Sequence, residues 1–416
     1  MKTTIIIGAG PSGMIAAYAA ATNSPTCQVI LIEKNATLGK KLAITGGGRC
    51  NITNTCDVED LLKKVVRNSS FLYSALYTLD SSMLLDILHT HGLATKVEDN
   101  GRVFPVSDNA NDVIGTFKKM LRKDNITIQL NTTATSVTKD AMGKFVVSTT
   151  HTDGASSTIT ADAVILATGG LSAPVTGSTG DGYKFAQSLG HTLTPAFFPS
   201  IVPLTIKEDF ITHQLQGLSL QNIGLNILIG KKKVFDDLGD MIFTHFGISG
   251  PMVLKGSAHI AKNVENKMCA VLDICPDKDA KELDNEIVSL FAKTPNKNVS
   301  NTLQDMLPAK LVPVLLKLCD INEEKKTRDV TKQERSKLIT QLKNWHFTIS
   351  GTVGYKSAVT TAGGVVTKEI NPSTMESKLV DGLFFTGEVI DIDAYTGGYN
   401  LQICFSTGYL AGLSAI

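Results

Sequence analysis

The run Thr3-Thr4-Ile5-Ile6-Ile7-Gly8-Ala9-Gly10-Pro11-Ser12-Gly13, followed at once by the alanine-rich stretch Met14 to Ala21, constrains this chain more than any other feature. An apolar β-run breaks at Gly8 and reopens as a helix, the strand, turn and helix order that a G-x-G-x-x-G fingerprint requires. Each glycine has its own task. Gly8 permits the tight turn, Gly10 lets the backbone approach a pyrophosphate, and Gly13 allows the helix to lie close on the strand, with the helix N-terminus aimed at the phosphate charge. Pro11 and Ser12 sit inside the same turn and are candidate dinucleotide contacts with it.

A second strand, Cys27 to Ile32, ends in Glu33. It lies about twenty residues past the fingerprint, where an acidic side chain accepts hydrogen bonds from ribose hydroxyls and repels a 2′-phosphate, favouring FAD or NAD over NADP. Lys34, next in the chain, is a further candidate contact. Far away, near the C-terminus, Gly387-Glu388 is followed by Thr396-Gly397-Gly398-Tyr399-Asn400-Leu401-Gln402. The two glycine-rich signatures together point to a flavoprotein.

The bulk numbers bound the alternatives. At 416 residues the chain exceeds what one core usually supports, so two or three domains are expected. Forty basic against 39 acidic residues, without a block of like charge, argue against nucleic acid and anionic membranes and for a small partner. Glycines interrupt the apolar N-terminus too early for a signal peptide, and no run of about eighteen apolar residues exists, so a cytoplasmic protein that spans no membrane is expected. Seven cysteines without a C-x-x-C pair suit free thiols, and no metal site is expected.

Along the chain, helices are expected near Asp57 to Arg67, Ser81 to His91 and Asn111 to Lys123. Thr127 to Leu130 reads as a strand, and Thr132 to Val137, Lys144 to Thr149 and Ser157 to Ile159 as an antiparallel ribbon carrying Thr135. Ala161 to Ala167 is a continuous apolar run suited to a buried parallel strand, ending in Thr168-Gly169-Gly170. From about Thr192 short β-like pieces and turns follow, including Val202 to Ile206, Ile223 to Ile229 and Val234 to Phe235. Lys278 to Lys343 is charged, free of glycine and helically periodic. The expected organisation is a first domain of residues 1–191 plus 350–416, a β-rich substrate domain of residues 192–277 plus 344–349, and a helical subdomain of residues 278–343. A final helix should run from about Leu401 to Ser414.

Four separated stretches resemble one family: Gly46-Gly47-Gly48-Arg49-Cys50-Asn51, Thr244-His245-Phe246-Gly247-Ile248-Ser249-Gly250-Pro251, Thr361-Ala362-Gly363-Gly364-Val365, and Gly387-Glu388 through Gln402. In this order they look like the BaiN-type FAD-dependent oxidoreductases, within the two-dinucleotide-binding-domain flavoproteins. The resemblance implies an α/β fold: a Rossmann-like FAD-binding domain with an inserted β-barrel-like domain and a nested helical subdomain. Members of the family are linked to reduction of dehydro-steroid bile acids and to oxidation of aminoacetone. It also implies that Gly387-Glu388 approaches the ribityl and pyrophosphate region and that the turn at Gly398, Tyr399, Asn400, Leu401 and Gln402 meets the isoalloxazine ring. Reduced flavin is negative near N1 and C2=O, and a glycine turn opening a helix offers free N–H groups and about half a positive charge there.

The loop Thr45-Gly46-Gly47-Gly48-Arg49-Cys50-Asn51 is expected to bring backbone to the other side of the flavin, with Lys41 or Arg49 available to phosphate or pyrimidine oxygens. Cys50 reads either as a redox thiol or as a packed interior cysteine. Ala167, Thr168 and Gly169, with Gly177 to Gly182, resemble the linker of fumarate-reductase-like flavoproteins, and Asp181 alternatively caps the following helix. Candidate proton donors are Tyr395, Tyr399, His245 and Arg49, since reducing a polarised C=C or C=O needs an acid opposite the incoming hydride. No second G-x-G-x-x-G follows a strand, so NAD(P)H, if it is the donor, must visit the flavin transiently. A reductase is expected ahead of an amine oxidase producing peroxide; a non-catalytic flavin sensor or RNA-associated flavoprotein is the reading from another class.

Overall fold

The three isoleucines of the fingerprint lie at the centre of a five-stranded parallel sheet. Its order is Leu383–Phe385, Ala163–Leu166, Thr3–Ile7, Gln28–Ile32, Ile126–Gln129. Ile5, Ile6, Val164 and Ile165 are wholly buried, as a parallel sheet covered on both faces demands. The structure, a computed structural model, describes residues 2–260 and 267–416.

The fingerprint helix Pro11–Asn23 is buried nearly all round because the C-terminal helix Tyr399–Ser414 packs along it. A Cβ at Gly408 would stand 2.3 Å from Ser12 O, and one at Gly412 would stand 2.4 Å from Ala16 O. Backbone therefore meets backbone, and larger residues on either helix would force them apart. The alanines that first read as helix formers are also what lets this partner approach.

Among the described residues three small antiparallel sheets complete the unit formed by Met1–Ser200 and Tyr355–Ile416, one of them the pair Phe198–Ser200 with Thr360–Ala362. Thr132–Lys139, Phe145–His151 and Ser156–Ala161 form the expected ribbon. Thr53–Asn54, Arg102–Pro105 and Thr95–Glu98 form a second sheet that the sequence reading did not anticipate, because strands of two to four residues are too short to display alternation.

Ile201–Gly354 forms the other unit. Six antiparallel strands close into a barrel in the order Leu204–Ile206, Gly247–Ser249, Lys232–Thr244, Ser219–Ile229, Met268–Asp273, Trp345–Thr352. Leu225, Ile227, Phe243, Leu272 and Phe347 belong to its core. Between Met268–Asp273 and Trp345–Thr352 the chain makes the helices Ala280–Lys293, Val299–Leu303, Val312–Leu318 and Lys332–Lys343. The first and last of these start in capping boxes, Asp279 with Glu282 and Thr331 with Glu334, which satisfy N–H groups that the first helical turn cannot.

Several boundaries move. The helix expected over Asp57 to Arg67 is only Val58–Leu62, capped by the Asp57 carboxylate accepting from Asp60 N–H. The remainder is drawn out alongside the segment before the C-terminal helix: Val66 N–H donates to Asp393 O at 2.8 Å and Tyr395 N–H to Lys64 O at 3.0 Å. Tertiary pairing here overrides local helical preference. Asp181 is not a cap, since Gly180 occupies that position in front of Asp181–Ser188 without a side-chain bond. The C-terminal helix starts two residues early, at Tyr399, and the strand read as Val234 to Phe235 is the long Lys232–Thr244.

Candidate active site

The three fingerprint glycines separate by what surrounds them. A Cβ on Gly8 would lie 2.5 Å from Ala167 O and one on Gly13 1.9 Å from Gly8 O, so the chain's own backbone excludes any side chain there. Gly8 is also held at a φ of +105°. Around the Cβ position of Gly10, apart from its chain neighbours, none of the described residues comes within 4 Å. The turn thus leaves open the one place where the fingerprint needs backbone to meet a pyrophosphate. Glu33 is nearly buried; Oε2 accepts from Ala9 N–H at 2.8 Å, and Oε1 accepts from Asn35 N–H at 2.9 Å and Nδ2 at 2.7 Å. Lys34 bonds Asp181 and Thr179, both at 2.6 Å.

The second signature joins this turn. A Cβ on Gly387 would stand 2.9 Å from Ser12 Oγ, and Gly387 N–H donates to Thr407 Oγ1 at 3.0 Å. Gly10 and Gly398, which precede the fingerprint and C-terminal helices, make no side-chain capping bond. Among the described residues no side chain caps the first-turn N–H groups of either helix, which leaves them facing an acceptor with the helix dipole behind them. The side chains of Asn400 and Gln402 are turned inward. Asn400 closes its own loop through Ala394 and Tyr395, and Gln402 is wholly buried, bonded to Thr53, Leu79 and Ser406. What this turn offers a ligand is backbone, with Leu401 half-buried beside it.

The glycine loop reaches the same turn through Asn51. Oriented to satisfy its neighbours, its amide donates to Thr53 O at 3.1 Å and Val103 O at 3.3 Å and accepts from Gly398 N–H at 3.0 Å. Gly46 and Gly47 are exposed, and apart from its chain neighbours none of the described residues comes within 4 Å of a Cβ on Gly47. Thr45 Oγ1 donates to Leu42 O. Cys50 is wholly buried, and burial, opposed by a hydrogen bond from Thr45, pushes its thiol up to about 12. At that value it is neither a thiolate nor a redox nucleophile near neutrality.

Lys41 and Glu388 form a largely buried ion pair. Lys41 Nζ donates to Glu388 Oε2 and to Ser172 Oγ, both at 2.6 Å, and Glu388 Oε1 accepts from Ser172 Oγ at 2.6 Å and Thr361 N–H at 2.7 Å. Burial raises the Glu388 carboxyl, but the Lys41 charge and these hydrogen bonds outweigh it and hold it below its ordinary value. Ser172 was not singled out from sequence, and Thr361 only as the first residue of a motif that carries the family resemblance, because nothing in their local pattern announces a partner so distant along the chain.

Arg49 goes elsewhere. Its guanidinium bonds Glu98 and Asp108 and lies 4.0 Å above the Phe104 ring. Tyr399 is buried, which raises its phenol, and its ring fills the space above Gly397; Tyr395 is half-buried beside the same turn. Ala167 follows the Ala163–Leu166 strand against Gly8, Thr168 Oγ1 accepts from Gly182 N–H at 3.1 Å, and Gly169 lies near Ser178. Thr135 is exposed at a register shift in its ribbon. His245 belongs to the barrel unit, exposed between Lys232–Thr244 and Gly247–Ser249. Among the described residues no group of three or more His, Cys, Asp or Glu could hold a metal, and no helix is long and apolar enough to cross a membrane.

A fold of this order, with glycine turns at both ends, can be compared with known proteins. Residues 2–414 match the HI0933-like protein Rossmann domain. The chain belongs to this family. It is 35% identical over 412 residues to the 3-dehydro-bile acid delta(4,6)-reductase of Clostridium scindens, covering 99% of this chain and 98% of the relative. It is 32% identical over 405 residues to the ribosomal RNA dihydrouridine synthase of Escherichia coli, covering 97% and 96%. The open form of a flavocytochrome c3 fumarate reductase shares the fold at a TM-score of 0.51 and 15% identity, over 100% of this chain and 78% of that one. As an HI0933-like protein the chain is a FAD-dependent oxidoreductase, and the open space at Gly10 and the two uncapped helices fit that cofactor.

Proposed function

We propose that this protein reduces carbon–carbon double bonds conjugated to a carbonyl in small ring-shaped substrates, with NADH or NADPH as the electron source. The observation that carries the reading is the pair of helix N-termini without a side-chain cap, each preceded by a glycine, with Gly387 of the second signature set against Ser12 of the fingerprint turn. FAD, when bound, supplies the two-electron centre that takes a hydride from one partner and passes it to another. Gly10 and the fingerprint helix would hold its pyrophosphate, Glu33 its ribose, and the backbone of Tyr399, Asn400 and Leu401 its electron-rich edge. With no second dinucleotide fingerprint in the sequence, nicotinamide and substrate would take turns, giving ping-pong kinetics.

The bile acid reductase supports this substrate class, because a 3-dehydro-Δ4,6 steroid is a conjugated enone. Its saturation needs hydride at one carbon and a proton at the carbon nearer the carbonyl, so that the π bond breaks as two C–H bonds form. Arg49 is a poor acid, since its hydrogen bonds to Glu98 and Asp108 raise its pKa further. We assign the proton to the Tyr395 phenol, which water would then re-protonate. Tyr395→Phe should leave flavin loading and bleaching by NAD(P)H intact and slow re-oxidation by substrate.

A second reading follows from the dihydrouridine synthase relative, since uracil in RNA is likewise a ring with a C=C conjugated to a carbonyl. The near-zero net charge weighs against the basic groove that RNA would need. The experiment is anaerobic: NADH or NADPH should bleach the flavin, and a 3-oxo-4,6-diene steroid should restore its colour. Colour restored only by ribosomal RNA would favour the second reading, and bleaching by small amines, with peroxide formed in air, would replace both with an oxidase. Gly10→Val should yield colourless protein that melts as the wild-type apoprotein does, because the Gly10 backbone is extended and its Cβ position is empty. A yellow, fully loaded variant would sink the cofactor assignment.

A further inference from the structure

A buried charged cluster lies just before the Thr396-Gly397-Gly398 turn, and the reaction proposed above gives it no role. Lys64 to Asn68 run antiparallel to Asp391 to Tyr395, and Asn68 Nδ2 donates to Asp391 O at 2.6 Å. The Asp393 side chain is wholly buried: Oδ1 lies 3.1 Å from Arg67 Nη1, and Oδ2 accepts from Ser200 Oγ at 2.7 Å. Ser200 ends a strand, Phe198–Ser200, that pairs with Thr360–Ala362 and so anchors the carboxylate from a third direction. Asp391, on the same segment, is nine-tenths buried; its Oδ2 takes a bond from Asn68 at 3.3 Å, and its Oδ1 finds no hydrogen-bond partner among the described residues.

Two carboxyls on one buried segment cannot both ionise cheaply, since the hydration each loses is only partly replaced, by Arg67 at Asp393 and by Asn68 at Asp391. Burial pushes the Asp393 carboxyl up to about 6; Arg67 and Ser200 pull against that rise, and Asp391 and Glu388 add to it. Among the described residues the groups acting on Asp393 are thus the Arg67 cation, the Asp391 and Glu388 carboxyls and the Ser200 hydroxyl.

We propose that Asp393 is a positioning residue: ionised and paired with Arg67 it holds the 391–395 segment, and with it the glycine turn, and its protonation loosens that turn and weakens FAD binding. This rests on the FAD-binding reading. The sign follows from the raised folded value. Ionised Asp393 predominates above about pH 6 and is lost as the pH falls through it, so the dissociation constant for FAD rises on acidification, toward at most about tenfold per pH unit.

The test titrates FAD into the full-length apoprotein between about pH 5 and about pH 8, following flavin fluorescence, with apoprotein melting measured alongside. Wild type should weaken below about pH 6. Asp393→Asn should bind weakly at every pH with the slope gone. Arg67→Lys, which keeps the charge, should keep the slope. Ser200→Ala removes a hydrogen bond that favours the ionised form and should move the midpoint to higher pH. If Asp393→Asn fails to fold, Ser200→Ala still decides, and an unmoved midpoint overturns the proposal. Wild-type binding that is flat across the range overturns it while leaving the cofactor reading intact; no FAD binding at any pH overturns both.

Discussion

Lys41 and Arg49 leave the same glycine-rich stretch and were candidates for the same task, yet they end in opposite surroundings. Lys41 is locked into Glu388, Ser172 and, through them, Thr361, with the lysine and glutamate side chains 22% and 13% exposed. Arg49 lies on Phe104 between Glu98 and Asp108, with 34% of its own side chain in contact with water. The comparison teaches that the partner matters less than the solvent: the first pair cannot lose a member without stranding a charge, and the second can.

The largest expected effect follows directly. Lys41→Met should cost about 3–5 kcal/mol of stability in urea unfolding, because it leaves Glu388 buried without its cation, and Lys41→Met with Glu388→Gln should recover part of the loss. A single-variant loss no larger than that of a surface pair would break the comparison. The next concerns pH. Glu388 is held below its ordinary value of 4.5, so the pair's contribution is complete above that value and is lost as the pH falls through the lower folded one. The stability gap between wild type and Glu388→Gln should therefore narrow below about pH 4.5, and a gap independent of pH would show that the charge is not what stabilises the knot. The smallest effect is that of Arg49→Ala. Its melting shift should be a minor fraction of the Lys41 effect and should vanish in high salt, with FAD loading unchanged. Loss of loading would return Arg49 to the cofactor site and sharpen the contrast in the other direction.

How much of this was legible beforehand depended on the range of the signal. The fingerprint strand, turn and helix, the antiparallel ribbon, the buried Ala161 to Ala167 run and the glycine-free helical stretch all declare themselves in contiguous sequence, since periodicity and glycine placement are local properties. The second glycine signature was equally visible, although the side chains of Asn400 and Gln402 turn inward and leave the turn's backbone facing outward. Cys50 could be read two ways until its burial was known. The Arg67, Asp391 and Asp393 cluster went unnoticed, because the helix expected over Asp57 to Arg67 would have carried Arg67 elsewhere.

By itself, then, the sequence determined a Rossmann-type nucleotide fold, the three distinct uses of Gly8, Gly10 and Gly13, and a flavin chemistry announced at both ends of the chain. Only the tertiary structure decided which charges pair. Lys41 meets Glu388 and Arg67 meets Asp393 across more than three hundred residues, separations at which no local pattern records a contact, and whether each pair is buried or bathed in water is set by the elements that close over it.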